Sequence, residues 1–188
     1  MRIIAGRYKG RQLAAPDGDG TRPTMDRVRE ALFSILGDVV DGSRVLDLFA
    51  GAGTLGMEAL SRGALEATFV EFRRSVVQVL EANLEKLTDA RYRVLAGPVD
   101  RMLLKLGRGS EQFDLVFLDP PYRMGLVPVT LDLLVRNRLL SPKVRVVAEF
   151  EARFAPPREV GSLFLADRRT YGDSGFAIYS ILEGGANG

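Results

Sequence analysis

Val45-Leu46-Asp47-Leu48-Phe49-Ala50-Gly51-Ala52-Gly53 runs from an apolar strand into a glycine-rich turn, and Thr54-Leu55-Gly56 completes the pattern G-x-G-x-x-G at the start of a helix. Gly51 and Gly53 allow a tight backbone and close approach of a ligand. Glu71 stands 20 residues beyond Gly51, at the end of the next apolar run. An acid at that place accepts both hydroxyls of a ribose. A second run, Leu115-Val116-Phe117-Leu118, ends in Asp119-Pro120-Pro121-Tyr122. Both turns are expected at the carboxyl ends of strands, where open α/β sheets hold their ligands.

Outward from these turns the pattern alternates. Strands are expected at 44–49, 67–71, 92–95, 115–118 and 144–150, with helices at 54–62, 73–87, 99–106 and 127–137. Continuous apolar runs such as Leu115–Leu118 suit a sheet covered on both faces. The runs 163–171 and 176–182 flank Gly172-Asp173-Ser174-Gly175 and read as an antiparallel hairpin. The expected fold class is α/β: a doubly wound, Rossmann-like sheet, mostly parallel, closed by an antiparallel C-terminal hairpin. Ahead of it, residues 2–8 and 11–15 read as a short hairpin turning at Lys9-Gly10. Thr24 reads as the N-cap of a helix over 25–36 that Gly37 stops. The chain thus divides into an N-terminal extension, 1–40, and a main domain, 41–188.

Composition narrows the chemistry. The 188 residues contain no Cys and no His, which excludes disulfides, thiolate nucleophiles and imidazole bases. Methylation at pyrimidine C5, which needs a cysteine, is excluded with them. No metal site is expected. Lys+Arg exceed Asp+Glu by 26 to 24, a mildly basic balance compatible with nucleic acid. The excess is almost all Arg, and Arg2, Arg7, Lys9 and Arg11 open the chain without an acid. Arg binds phosphate bidentately and stacks on bases, although a compositional bias of the genome gives the same excess. The N-terminus lacks the apolar core of a signal peptide, and no apolar run is long enough for a membrane span. The cytoplasm is the expected compartment.

Asp47 selects among cofactors. A carboxylate inside the strand repels the phosphates of a dinucleotide and suits the sulfonium and ammonium of S-adenosyl-L-methionine. Its structural alternative is to bond amides of the glycine turn. At the second turn, Pro120 and Pro121 fix φ and lack amide hydrogens, so the turn is stiff. The Asp119 carboxylate and the Pro120 carbonyl can grip both hydrogens of an exocyclic amine and aim its lone pair outward. Tyr122 offers a stacking face for the base. The methyl group then passes in line to nitrogen, with catalysis by positioning and electrostatics.

The strings 2–10 (RIIAGRYKG), 21–33 (TRPTMDRVREALF), 46–53 (LDLFAGAG), 58–64 (EALSRGA), 113–122 (FDLVFLDPPY) and 171–174 (YGDS) carry a resemblance that spans the chain. It resembles the bacterial 16S rRNA (guanine(966)-N(2))-methyltransferases. The resemblance implies methylation, by S-adenosyl-L-methionine, of the exocyclic N2 amine of a guanine in 16S rRNA. It implies Asp47, Phe49, Gly51, Gly53, Thr54 and Glu71 at the cofactor, and Asp119, Pro120, Pro121 and Tyr122 at the target base. Arg7, Lys9, Arg11, Arg22, Arg27 and Arg29 would grip RNA phosphates, which makes residues 1–40 an RNA-contacting extension. The implied partner is 16S rRNA, free or in an assembling or assembled small ribosomal subunit, with the enzyme a monomer. An acid often found after the third strand is replaced by Gly97-Pro98, so the adenine contact falls to Asp100 or to backbone near Val99. Two rivals share the motifs: an adenine-N6 or cytosine-N4 nucleic-acid methyltransferase, and a non-enzymatic RNA-binding or ribosome-assembly protein. A nicotinamide oxidoreductase leaves Asp119-Pro120-Pro121-Tyr122 unexplained.

Overall fold

The computed structural model describes residues 1–16, 23–121 and 125–182, with side chains in the first helix described from Asp26 onward. Arg22 and Tyr122 therefore lie outside the described residues. In chain order the elements are α1 (Pro23–Leu36), β1 (Arg44–Leu48), α2 (Thr54–Ser61), β2 (Glu66–Glu71), α3 (Arg74–Leu84), β3 (Tyr92–Ala96), α4 (Val99–Arg108), β4 (Phe113–Leu118), α5 (Leu126–Arg136), β5 (Leu140–Glu151), β6 (Glu159–Val160), β7 (Leu163–Tyr171) and β8 (Ser174–Ile181). They build one eight-stranded sheet in the order β3-β2-β1-β4-β5-β8-β7-β6. β3 through β5 are parallel, and β8, β7 and β6 add antiparallel at one edge. The chain reverses direction across the sheet between β1 and β4, which is where doubly wound sheets open a ligand crevice.

Period-two alternation sorts the strands onto two cores. From β4, Leu115 and Phe117 join one core and Val116 and Leu118 the other. The first core holds Leu32, Phe33 and Leu36 of α1, Met57 of α2, and Leu80 and Leu84 of α3. The second holds Leu103 and Leu106 of α4 and Leu131 and Leu134 of α5. In β1, Val45 faces the first core while Leu46 and Leu48 face the second, so Asp47 points to the α2 side.

Two local expectations are corrected, and one short strand is added. The opening hairpin is a single antiparallel bridge, Arg2 to Gln12, rather than two strands. Backbone bonds still cross it, from Ile3 N–H to Arg11 O at 3.1 Å and from Leu13 N–H to Met1 O at 2.8 Å. Side chains take up other amides: Ile4 and Ala5 N–H donate to Glu58 at 2.7 and 3.0 Å, and Tyr8 N–H to Ser61 Oγ at 2.9 Å. Ile3, Tyr8 and Leu13 pack into the first core, so the opening segment shares its interior with the sheet. The first helix begins at Pro23, which places Thr24 inside it and not at the N-cap. Proline suits a first helical position because its missing N–H has no partner there anyway. Finally, β6 is two residues long, too short for any periodic signal, and pairs only with β7.

Candidate active site

β1 and β4 are neighbours in register, with Leu48 beside Leu118, so the turns that follow them open side by side. Strands in a sheet lie about 4.8 Å apart. The structure thus brings the glycine turn and the Asp119 turn together at the carboxyl edge of the sheet.

The glycine turn is built on left-handed backbone: Phe49, Gly51 and Gly53 have φ of 58°, 55° and 80°. A non-glycine residue in that region stores on the order of 1–3 kcal/mol, and Phe49 is held there by packing on the second core. The three glycines of the motif differ in purpose. A Cβ on Gly53 would sit 2.4 Å from Leu80 Cδ1, and one on Gly56 would sit 2.4 Å from the Phe69 ring. These two let α2 press against β2 and α3. A Cβ on Gly51 meets nothing nearer than 4.0 Å, so the space above Gly51 is open to a ligand.

Two buried carboxylates lie under this turn. Asp47 accepts a hydrogen bond from Gly56 N–H at 2.9 Å, in the first turn of α2, whose N-cap Gly53 has no side chain to do so. The structural role weighed for Asp47 is therefore present. Burial raises its carboxyl to about 7, eased by the Gly56 bond and reinforced by the neighbouring charge of Glu71. The charge that bears on Asp47 is thus another acid, Glu71, which itself pairs with Arg73 at 3.6 Å. A buried acid under an open turn, with an acid as its charged neighbour, fits a cationic, amino-bearing ligand. Glu71 accepts from Gly51 N–H at 3.0 Å, Phe72 N–H at 3.0 Å and Arg73 N–H at 2.8 Å, which ties the end of β2 to the turn. Thr54 opens α2 directly beside it.

Sequence reasoning passed over two residues here. Phe72, next to Glu71, is 67 % exposed, a large ring held at the ligand edge without core contacts. The buried Asn83 amide pairs with both backbone groups of Ala14, at 2.8 and 3.0 Å, and donates to Ala52 O at 3.2 Å. It links the opening segment to the glycine turn. A polar residue on the buried face of α3 was the available signal. Asp100 is exposed in the first turn of α4.

On the acceptor side Asp119 is exposed, Pro120 is buried and Pro121 is exposed. The carboxylate stands at the mouth of the crevice while Pro120 seats the turn.

The basic residues of the opening do not form one surface. Arg29 is a correction: it is 8 % exposed, donates to Arg2 O at 2.6 Å and Asp26 at 3.0 Å, and lies 3.9 Å from the fully buried Glu58. Burial lowers its pKa, and Glu58 and Asp26 oppose that shift. Arg29 sits beside an interior acid that Arg62 also holds, at 2.7 Å, and is not presented to phosphate. Arg7 is exposed but pairs with Asp89 at 3.0 Å, and its N–H donates to Ser61 O at the end of α2. It lines a recess with Leu65 and Arg91, which precede or begin the outer strands β2 and β3. That is the amino edge, a strand length from Asp119. Arg11 stacks on Tyr8 at 5.0 Å, and Lys9 and Arg27 are exposed. No helix among the described residues is long and apolar enough to cross a membrane.

Residues 1–180 match the family described as Conserved hypothetical protein 95. The chain is 38 % identical over 179 residues to ribosomal RNA small subunit methyltransferase D of Escherichia coli (strain K12), covering 95 % of this chain and 89 % of that one. It is 39 % identical over 180 residues to YlbH of Bacillus subtilis (strain 168), covering 95 % and 98 %. Among solved structures, the yhhF chain of Escherichia coli superposes with a TM-score of 0.86 at 38 % identity, over 96 % of this chain and 97 % of that chain. With its sheet order, its paired turns and this likeness over nearly its whole length, the chain belongs to the Conserved hypothetical protein 95 family, alongside the small-subunit ribosomal RNA methyltransferases.

Proposed function

We propose that this chain methylates the exocyclic N2 amine of a guanine in 16S rRNA, with S-adenosyl-L-methionine as the methyl donor. The observation that carries the reading is the side-by-side placement of an acid-lined glycine turn and an exposed Asp-Pro-Pro turn on adjacent strands. When bound, the cofactor supplies an activated methyl group on a cationic sulfur. Asp47 and the open space over Gly51 suit its methionine end, Phe49 and Thr54 flank that end, and Glu71 accepts from the ribose hydroxyls. Phe72 offers an apolar face to the adenine. Asp119 and the Pro120 carbonyl hold the amine hydrogens, so the nitrogen lone pair faces the donor turn. The N–C bond forms as the methyl group's bond to sulfur breaks, which leaves a neutral thioether; the nitrogen gives up one proton, and Asp119 accepts it. No imidazole or thiolate is needed, in keeping with a chain that has neither. The ribosomal RNA activity of the family's relatives supports the polymer. The exposed Lys9 and Arg27 and the half-buried Arg11 are the cations of the opening that remain candidates for phosphate contact. The cytoplasm is the compartment this reading requires.

The test is methyl transfer from labelled cofactor to 16S rRNA and to small subunits from cells lacking this protein, followed by nucleoside analysis. N2-methylguanosine is the expected product. N6-methyladenosine or N4-methylcytidine would move the activity to another amine, and absence of transfer to either substrate would remove it.

A further inference from the structure

We propose that the outer tip of the sheet, formed by the loop after β5 and the adjoining face of β7, is a docking surface for the RNA strand that flanks the target nucleotide. The proposal rests on the rRNA reading above. Its starting point is register. Leu118, the last residue of β4, lies beside Ala148 of β5, and Ala148 lies beside Ala177 of β8, which pairs with Arg168 of β7. Arg168 is therefore level with the strand end that carries Asp119, about three strand spacings or 14 Å across the sheet. β5 continues to Glu151, which pairs with Ser174, so the β7–β8 turn also opens on the acceptor edge. The loop after β5 starts about 10 Å beyond the level of Leu118.

The chemistry at that tip is flat and rich in guanidinium groups. Arg168 lies over the Phe150 ring at 4.9 Å, and Arg153 lies over the Phe154 ring at 4.9 Å. Phe154 is 54 % exposed and belongs to neither core. An exposed ring beside stacked guanidinium planes is what unpaired bases pack on. Arg153 also pairs with Glu151, whereas the Arg168 guanidinium lies on the Phe150 ring and donates to the Ala152 carbonyl at 3.5 Å. Two further acids are close by: Asp167, whose carboxylate accepts from the Arg168 backbone N–H at 2.8 Å and pairs with Arg169 at 3.0 Å, and Asp173, whose carbonyl accepts from Ala152 N–H at 2.9 Å. The loop is held in place rather than loose: Phe154 N–H donates to Glu151 O at 2.9 Å, and the buried Tyr179 donates its hydroxyl to Pro157 O at 2.9 Å. A surface already fixed loses little entropy on binding. By contrast, Arg7 sits on the far edge of the sheet, already paired with Asp89.

The experiment compares wild type, Phe154→Ala, Phe154→Tyr and Arg168→Ala in steady-state methylation of protein-free 16S rRNA and of small subunits, with S-adenosylhomocysteine affinity and thermal stability measured in parallel. Phe154→Ala is expected to raise KM for RNA about ten-fold, the effect of one lost base stack. kcat and S-adenosylhomocysteine affinity stay within two-fold, and Phe154→Tyr restores KM. Arg168→Ala is expected to lower the slope of log affinity against log salt by nearly one. KM within two-fold of wild type for both alanine variants overturns the proposal. A loss confined to small subunits, with protein-free rRNA unaffected, overturns it in favour of a protein partner. Wild type that transfers methyl to no RNA instead removes the functional reading, and the docking surface falls with it.

Discussion

The two turns at the carboxyl edge solve the same problem in opposite ways. The donor turn after β1 is wired inward: Asp47 holds Gly56, Glu71 holds Gly51, and Asn83 ties Ala52 to the opening segment. The acceptor turn after β4 takes its stiffness from Pro120 and Pro121 and leaves Asp119 exposed. A cofactor that returns every cycle suits a preformed, desolvated cradle. A base delivered by a large polymer suits a rigid prong at the mouth. The difference teaches that rigidity here comes from a hydrogen-bond network on one side and from covalent ring closure on the other, so the two sides should fail differently when altered.

The largest expected effect separates them at once. Asp119→Ala should lower kcat by on the order of 10²–10³, the cost of removing one group that acts on the reacting centre. S-adenosylhomocysteine affinity, read by calorimetry, should stay within two-fold. Glu71→Ala should do the reverse, weakening that affinity about 100-fold by losing two charge-assisted ribose bonds. Equal loss of binding in both variants would erase the distinction.

Next in size is the packing of the donor turn. Gly53→Ala should lower stability by about 3 kcal/mol, because the Cβ overlaps Leu80 and the backbone is left-handed. Gly51→Ala, with open space but the same backbone hand, should cost only about 1 kcal/mol. Denaturant midpoints of the two variants give the comparison.

A smaller effect follows from Asp47. Its carboxyl is raised to about 7 in the fold, against an ordinary value of 3.8. The folded protein therefore holds a proton that the unfolded chain has released, so this group's contribution to stability falls as pH rises from 4 to 7. A cationic ligand favours the carboxylate, so cofactor affinity should rise about ten-fold from pH 6 to 8 with release of a proton. Glu71 is the other charged group that bears on this titration. Asp47→Asn should flatten the profile, and a wild-type profile already flat would contradict the role. Smallest of all, Pro121→Ala should change kcat only a few-fold while loosening the acceptor turn by less than about 1 kcal/mol.

Much of this was legible because it depends on local pattern. The continuous apolar run Leu115–Leu118 and the run into Gly51 marked both strands and both turns, and the 20-residue spacing to Glu71 placed the second acid under the first turn. What was illegible depends on partners distant in sequence. Arg29 reads as a surface cation until Glu58, on another helix, draws it inside. The opening hairpin keeps a few backbone bonds of its own and is anchored by bonds with Glu58, Ser61 and Asn83, more than 50 residues away. Arg7 is basic and exposed as expected, yet the fold carries it to the edge opposite Asp119. Charge is written in the sequence; which edge of the sheet carries it is not.

The most direct test of the division between donor and acceptor turns is the crystal structure of the protein with S-adenosylhomocysteine. The ribose is predicted at Glu71, the amino acid end over Gly51 near Asp47, and the sulfur facing the Asp119 turn. A ligand whose sulfur points away from Asp119, or that binds elsewhere, would contradict it.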